Sequence, residues 1–118
     1  MTQPLETSAI HSWHAHVYYD PATRDAAARL REQVAARFEA TLGRWHDVPV
    51  GPHPQAMYQI AFANAVFPDL TGFLALNRVG LTILVHPETG DEVADHRDHA
   101  MWMGKVLPLD LSTLGPRR

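Results

Sequence analysis

The chain has 118 residues, a net charge of -3, 46% hydrophobic and 19% charged residues, and no cysteine. That length supports one domain with a core and is short for two, and the slightly acidic balance excludes the basic face that nucleic acid requires. The missing cysteines exclude disulfides, thiolate metal sites and a cysteine nucleophile, which suits a reducing cytoplasm.

In chain order, residues 1–9 carry no periodicity and read as a flexible lead-in, and Met1 to Ser8 lack the basic and apolar regions of a signal peptide. From Ile10 to Tyr19 the pattern alternates, with Trp13, Ala15, Val17 and Tyr19 on one side and His14, His16 and Tyr18 on the other. Period two with aromatic and β-branched residues predicts a strand. Asp20 and Pro21 then predict a helix start, as cap and first helical residue. Ala26, Ala27, Leu30, Val34, Phe38 and Leu42 follow at helical spacing, and Gly43 is placed to end the helix.

Arg44 to Val50 reads as a short strand with Pro49 marking an edge. Gly51-Pro52-His53-Pro54 is a stiff turn, because each proline fixes its own φ and restrains the residue before it. Met57 to Ala63 predicts a long strand, with Tyr58, Ile60 and Phe62 on one side. A helix begins at Phe67-Pro68-Asp69, turns Leu70, Phe73, Leu74 and Leu76 inward, and ends near Asn77 to Gly80. Leu81 to Val85 is an apolar run bounded by turn signals, as a central strand is, and His86 closes it. Asp91 to Met103 reads as a short helix carrying Asp95, His96 and His99, with Trp102 and Met103 in the core or a dimer seam. The domain is expected over residues 10–109, followed by a tail over 110–118. No run approaches the roughly 18 consecutive apolar residues of a membrane span.

The order strand, helix, strand, strand, helix, strand predicts an α+β, ferredoxin-like βαββαβ sandwich. Four antiparallel strands carry both helices on one face. A second copy would cover the other face, giving a homodimer built as an α/β barrel.

Histidine is the unusual residue, with eight in the chain. Imidazole is the commonest nitrogen ligand for metals and titrates near neutral pH, so a metal or acid–base site is expected. Alternation sends His14, His16, Thr82, Leu84 and His86 to the face away from the helices, with His53 in the loop beside it. An open metal site needs such convergence from separate elements. The plainer reading of any one strand histidine is a hydrogen-bonded structural group, and His11 and His46 fit it. His14 competes with His16: an H-x-H pair chelates one ion, or lends its second imidazole to substrate. His96 and His99 share a helical face, as do Asp95 and His99, which serves proton transfer or merely caps and charges the surface. Arg78 either holds a carboxylate or is solvated.

His14-Ala15-His16-Val17-Tyr18-Tyr19, Gly51-Pro52-His53-Pro54, Asn77-Arg78, Leu84-Val85-His86-Pro87-Glu88-Thr89-Gly90-Asp91 and Asp95-His96-Arg97-Asp98-His99-Ala100-Met101-Trp102-Met103-Gly104 stand in that order. Over about His11 to Leu109 the sequence resembles the DOPA 4,5-dioxygenase family. The resemblance implies a dimeric ferredoxin-like enzyme that opens a catechol ring outside its two hydroxyls, with molecular oxygen as co-substrate and non-haem iron(II) as cofactor. It implies His16, His53 and His86 as metal ligands. It also implies His96 and His99 as acid–base or substrate-orienting groups, and His14, the second imidazole of the H-x-H pair, is counted with them as a substrate contact.

Nitrogen ligands with open positions suit iron(II), which must bind both catecholate and oxygen. The usual facial triad includes a carboxylate, and no Asp or Glu is an obvious third ligand, so zinc is the alternative ion. A zinc or other divalent-metal hydrolase or isomerase on the same histidines, and a dimeric module that binds small aromatics without catalysis, are the alternative functions.

Overall fold

The computed structural model describes residues 3–115. Its elements are β1 (Ser12–Tyr19), α1 (Arg24–Arg37), β2 (Thr41–Leu42), β3 (Ala56–Phe62), α2 (Phe67–Asn77), β4 (Thr82–Glu88), α3 (Glu92–Arg97) and β5 (Met101–Met103). The strands form one open antiparallel sheet in the order β2-β3-β1-β4-β5. The α+β class and the helices on one sheet face agree with expectation; the fifth strand does not.

The core follows from period two in the strands and 3.6 in the helices. Ala15, Val17, Tyr58, Ile60, Ile83 and Val85 meet Leu30 and Val34 of α1 and Leu70 and Leu74 of α2, all fully or almost fully buried. At roughly 1.5–3 kcal/mol for each large apolar side chain buried, this layer dominates stability. The Tyr58 hydroxyl ties it to α1 by donating to the Ala27 carbonyl at 2.8 Å.

Four expectations need correction. Asp20 does not cap α1 directly; its carboxylate accepts the Thr23 N–H at 2.9 Å, closing a turn before the helix. The helix stops at Arg37 rather than Gly43, because Phe38 is extended. Phe38, Ala40 and Leu42 still pack against the core, so the same apolar residues satisfy a strand period as well as a helical one. The edge strand is therefore Thr41–Leu42, not Arg44 to Val50, where only His46 bridges Met57. Gly43 extends the pairing with β3 instead of capping a helix, its N–H donating to the Gln59 carbonyl at 2.7 Å.

In α2, Leu76 points to solvent and is 86% exposed, unlike Leu70 and Leu74. The third helix is also shorter than expected. The N–H groups of Asp98 and His99 both donate to the Ala94 carbonyl and end α3. Met101–Met103 then pairs with β4 as a fifth strand. Its alternation sends Met103 to the helix-side core and Trp102 to the opposite face.

That opposite face carries a smaller apolar cluster of Tyr18, Met57 and Leu84, packed by Ala100, Trp102, Leu107 and Leu109. The C-terminal segment thus covers part of the face expected to meet a second copy. Asp110 N–H holds it by donating to the Pro52 carbonyl at 2.9 Å, and Gly115 N–H by donating to Glu92 Oε2 at 2.8 Å. Within the expected lead-in, Thr7–Ala9 forms a 3-10 turn, and within the expected tail, Leu111–Thr113 forms another. Met1, Thr2 and residues 116–118 of those stretches lie outside the described residues. Among the described residues no helix is long and apolar enough to cross a membrane.

Candidate metal centre

The sheet face opposite the core helices gathers five imidazoles from four elements. β1 projects His14 and His16 together, two residues apart, and the antiparallel register sets His86 of β4 directly opposite His14. His53 enters from its turn, where Gly51 takes φ 55 and His53 N–H closes onto the Val50 carbonyl at 3.0 Å. His96 reaches over from α3.

His16 lies at the centre. Its Nε2 is 3.1 Å from His86 Nε2, and its ring centroid is 4.3 Å from that of His53. The His86 and His96 centroids are 4.1 Å apart, and those of His14 and His86 5.3 Å. Two triads, His14–His16–His86 and His16–His53–His96, each bring three ligand nitrogens within 4.8 Å of one another. Both share His16, and neither includes a carboxylate.

Burial makes this cluster basic in the Lewis sense and poor at holding protons. His16, His53 and His86 are 3%, 6% and 0% exposed. Desolvation, helped by repulsion from neighbouring imidazoles, holds His16 well below the ordinary histidine range and brings His53 and His86 down to about 4. These three are therefore neutral near pH 7, as metal ligation requires.

The outer ring nitrogens are mostly fastened. His86 Nδ1 donates to the Pro87 carbonyl at 2.9 Å and His96 Nδ1 to the Glu92 carbonyl at 2.7 Å. His14 Nδ1 is 2.6 Å from Glu88 Oε1, and that bond holds the Glu88 carboxyl below its usual range. Partners of this kind orient ligating imidazoles and raise their basicity. His16 Nδ1 is buried with no hydrogen-bond partner among the described residues. A buried polar atom without a partner carries a desolvation cost. The donor set therefore fits a borderline divalent ion such as iron(II) or zinc.

The remaining candidates fall elsewhere. His99 belongs to neither triad: its Nδ1 is 3.1 Å from Asp95 Oδ1, and it lines an apolar cleft of about 250 Å³ with Leu5, Ile10, Trp13 and Pro87. Asp95 is 1% exposed and accepts both the N–H and the hydroxyl of Thr89, at 2.8 and 2.7 Å, pinning the turn after β4 to α3. Arg78 donates to the Leu81 carbonyl at 2.9 Å, fastening the loop before β4. The sequence reading assigned no role to two participants. Tyr18 stands on the histidine face as alternation required, and its hydroxyl is 2.7 Å from His53 Nδ1. Glu88 was missed because the strand was expected to end before it, whereas β4 runs on through Pro87.

A second cleft, of about 190 Å³, is lined by His96, Arg97, Trp102, Leu107 and Leu109. His96 connects it to the cluster.

Comparison with known proteins bears on the fold and the family. A crystal structure of a candidate dioxygenase from Nostoc punctiforme is 53% identical, superposes with a TM-score of 0.92, and covers 93% of this chain and 96% of its own. The protein named DOPA 4,5-dioxygenase from Amanita muscaria is 35% identical over 122 residues, which is 95% of this chain but 53% of that protein. A 21.2 kDa protein of unassigned function from Botryotinia fuckeliana is also 35% identical, over 94% of this chain and 67% of its own length. The chain thus spans about half the length of the Amanita relative. The pattern of the Dopa 4,5-dioxygenase family matches residues 13–113, which include all five clustered histidines. The chain belongs to the Dopa 4,5-dioxygenase family.

Proposed function

We propose that the protein is a metal-dependent dioxygenase that opens the ring of a catechol, DOPA or a related dihydroxyphenyl compound, at a bond outside the two hydroxyls. The observation that carries this reading is the buried cluster of neutral imidazoles. His16 and His86 would hold the ion, with a third imidazole from His14, His53 or His96. A bound iron(II) would supply Lewis acidity toward both catechol oxygens and the one-electron chemistry by which ground-state oxygen reacts.

The chain's own residues do the rest. The cleft beside His96 admits a flat ring against Trp102, with apolar walls from Leu107 and Leu109. His96 Nδ1 is engaged by the Glu92 carbonyl, so its Nε2 lone pair is free to take a hydroxyl proton. General-base help of this kind is worth roughly 100- to 10,000-fold. The deep burial of His16 and His86 keeps water away from the reacting oxygens. A homodimer belongs to the same reading, supported by Met101, 42% exposed on the edge strand β5. Light scattering should give twice the chain mass.

The test is reconstitution with iron(II) under anaerobic conditions, followed by oxygen and a panel of catechols. Oxygen uptake matched by a yellow ring-opened semialdehyde is expected. Silence across the panel overturns the reading; hydrolysis of esters or lactones by the zinc-loaded protein would put a hydrolase in its place.

A further inference from the structure

The five imidazoles are alike in kind, but their outer nitrogens face different partners. A carbonyl oxygen can only accept, so the contacts to Pro87 and Glu92 place a proton on Nδ1 of His86 and of His96. The Glu88 carboxylate does the same for His14. In their neutral forms these three present Nε2 as a bare lone pair.

His16 differs: its Nε2 lies 3.1 Å from the bare Nε2 of His86 and so donates to it in the metal-free protein, and holding an ion there requires that proton to move to the unpartnered Nδ1. His53 differs in another way. Its Nδ1 faces the Tyr18 hydroxyl at 2.7 Å, and Tyr18 is 1% exposed. Among the described residues, His53 Nδ1 is the one partner found for that hydroxyl. Were His53 to donate, the phenolic proton would be buried without an acceptor and would carry the full desolvation cost of an unmade bond. Were Tyr18 to donate, only a spare oxygen lone pair would go unused, a much lighter loss. Tyr18 therefore donates, and neutral His53 carries its proton on Nε2.

We propose that tautomers divide the cluster: His14 and His86 present the lone pairs that hold the ion, with His16 joining them once its proton moves to Nδ1, whereas His53, set by Tyr18, turns an N–H toward the site as a hydrogen-bond donor to anionic oxygen. This rests on the reading above that the cluster binds a divalent ion. It moves His53 out of the ligand set that the sequence suggested. The remaining triad, His14–His16–His86, is one of the two whose nitrogens already converge. A fixed donor aimed at an oxygen that gains negative charge acts without reorganising, which is how oxyanion-stabilising groups act. His96, whose Nε2 is bare and whose side chain lines the cleft, is the complementary acceptor. Tyr18 is a positioning residue, since it acts through His53.

Long-range proton–nitrogen spectra of the metal-free protein at neutral pH read each tautomer directly. They should show Nε2–H for His53 and Nδ1–H for His14, His86 and His96; Nδ1–H at His53 overturns the proposal. Tyr18→Phe should shift His53 toward the other tautomer in the same spectra, and an unchanged His53 would deny Tyr18 its role. Cobalt(II) titration supplies the second readout. Affinity should stay within about threefold in His53→Gln, yet fall roughly 10- to 100-fold in Glu88→Gln, which removes an orienting partner, and further in His86→Ala. Cobalt binding that collapses in His53→Gln as far as in His86→Ala overturns the division alone. Wild-type protein that takes up no cobalt overturns the metal reading and the division with it.

Discussion

The two faces of the sheet are built from the same strands and obey opposite rules. On the helix side, Val17, Ile60, Ile83 and Val85 are wholly buried among Leu30, Leu70 and Leu74, and all the groups are apolar. On the other, His16 and His86 are nearly as buried, yet they are polar, and His16 keeps a nitrogen without a partner. Burial of the first kind stabilises the fold, whereas burial of the second kind opposes it and prepares neutral nitrogen ligands. Neighbours along β1 therefore do different jobs: Val17 holds the protein together, and His16 beside it is held in place. Stability and chemistry are sorted by the parity of the residue in the strand.

His86→Ala is the strongest test of that separation. Ion affinity should drop by more than about 100-fold, beyond the loss typical of outer partners, as read by metal content after dialysis. The unfolding free energy of the metal-free protein should change far less than in a core variant. If affinity and stability collapse together, the two faces are not separable. Leu74→Ala probes the converse. It should cost roughly 2–5 kcal/mol in urea denaturation, while the folded fraction keeps its cobalt affinity.

Acid should act through the histidine face. His53 and His86 titrate at about 4 in the folded protein and His16 lies well below its ordinary value, whereas unfolded histidine titrates near 6.5. Between those values the unfolded chain binds more protons. The contribution of these neutral imidazoles is therefore fully present above about pH 6.5 and is lost as pH falls toward 4. Urea midpoints of the metal-free protein should be lower at pH 5 than at pH 7.5, and equal midpoints would contradict the burial argument. Added divalent ion should raise the midpoint by linkage, most clearly at the higher pH.

Much of this was legible in the sequence, because alternation is a strict rule and β1 obeys it over its whole length. The faces of β1, β3 and β4, and with them His14, His16 and His86 on one side, follow from counting by two. The rigid Pro52-His53-Pro54 turn marked His53 as a loop-borne contributor. Less legible was the end of α1, since Phe38 and Leu42 fit helical and extended spacing equally well and only tertiary packing decides between them. Nor could spacing foresee β5: Met101, Trp102 and Met103 are three residues, and their pairing with β4 is a long-range contact. The bond of Glu88 to His14 depended on β4 continuing through a proline, which local rules count against. Tyr18 lay on the expected face, but a hydroxyl 35 residues from its imidazole partner leaves no periodic trace.

That proline bears on how the site can vary by inheritance. His86 and His96 are steadied by main-chain carbonyls, of Pro87 and Glu92, and no replacement of the side chains at those positions deletes a carbonyl. His14 is steadied by a side chain, Glu88, which one substitution can shorten, neutralise or remove. The centre thus has two struts that sequence drift cannot easily reach and one that it can. Variation among related chains in how tightly they grip an ion should concentrate at position 88, with the imidazoles themselves left untouched.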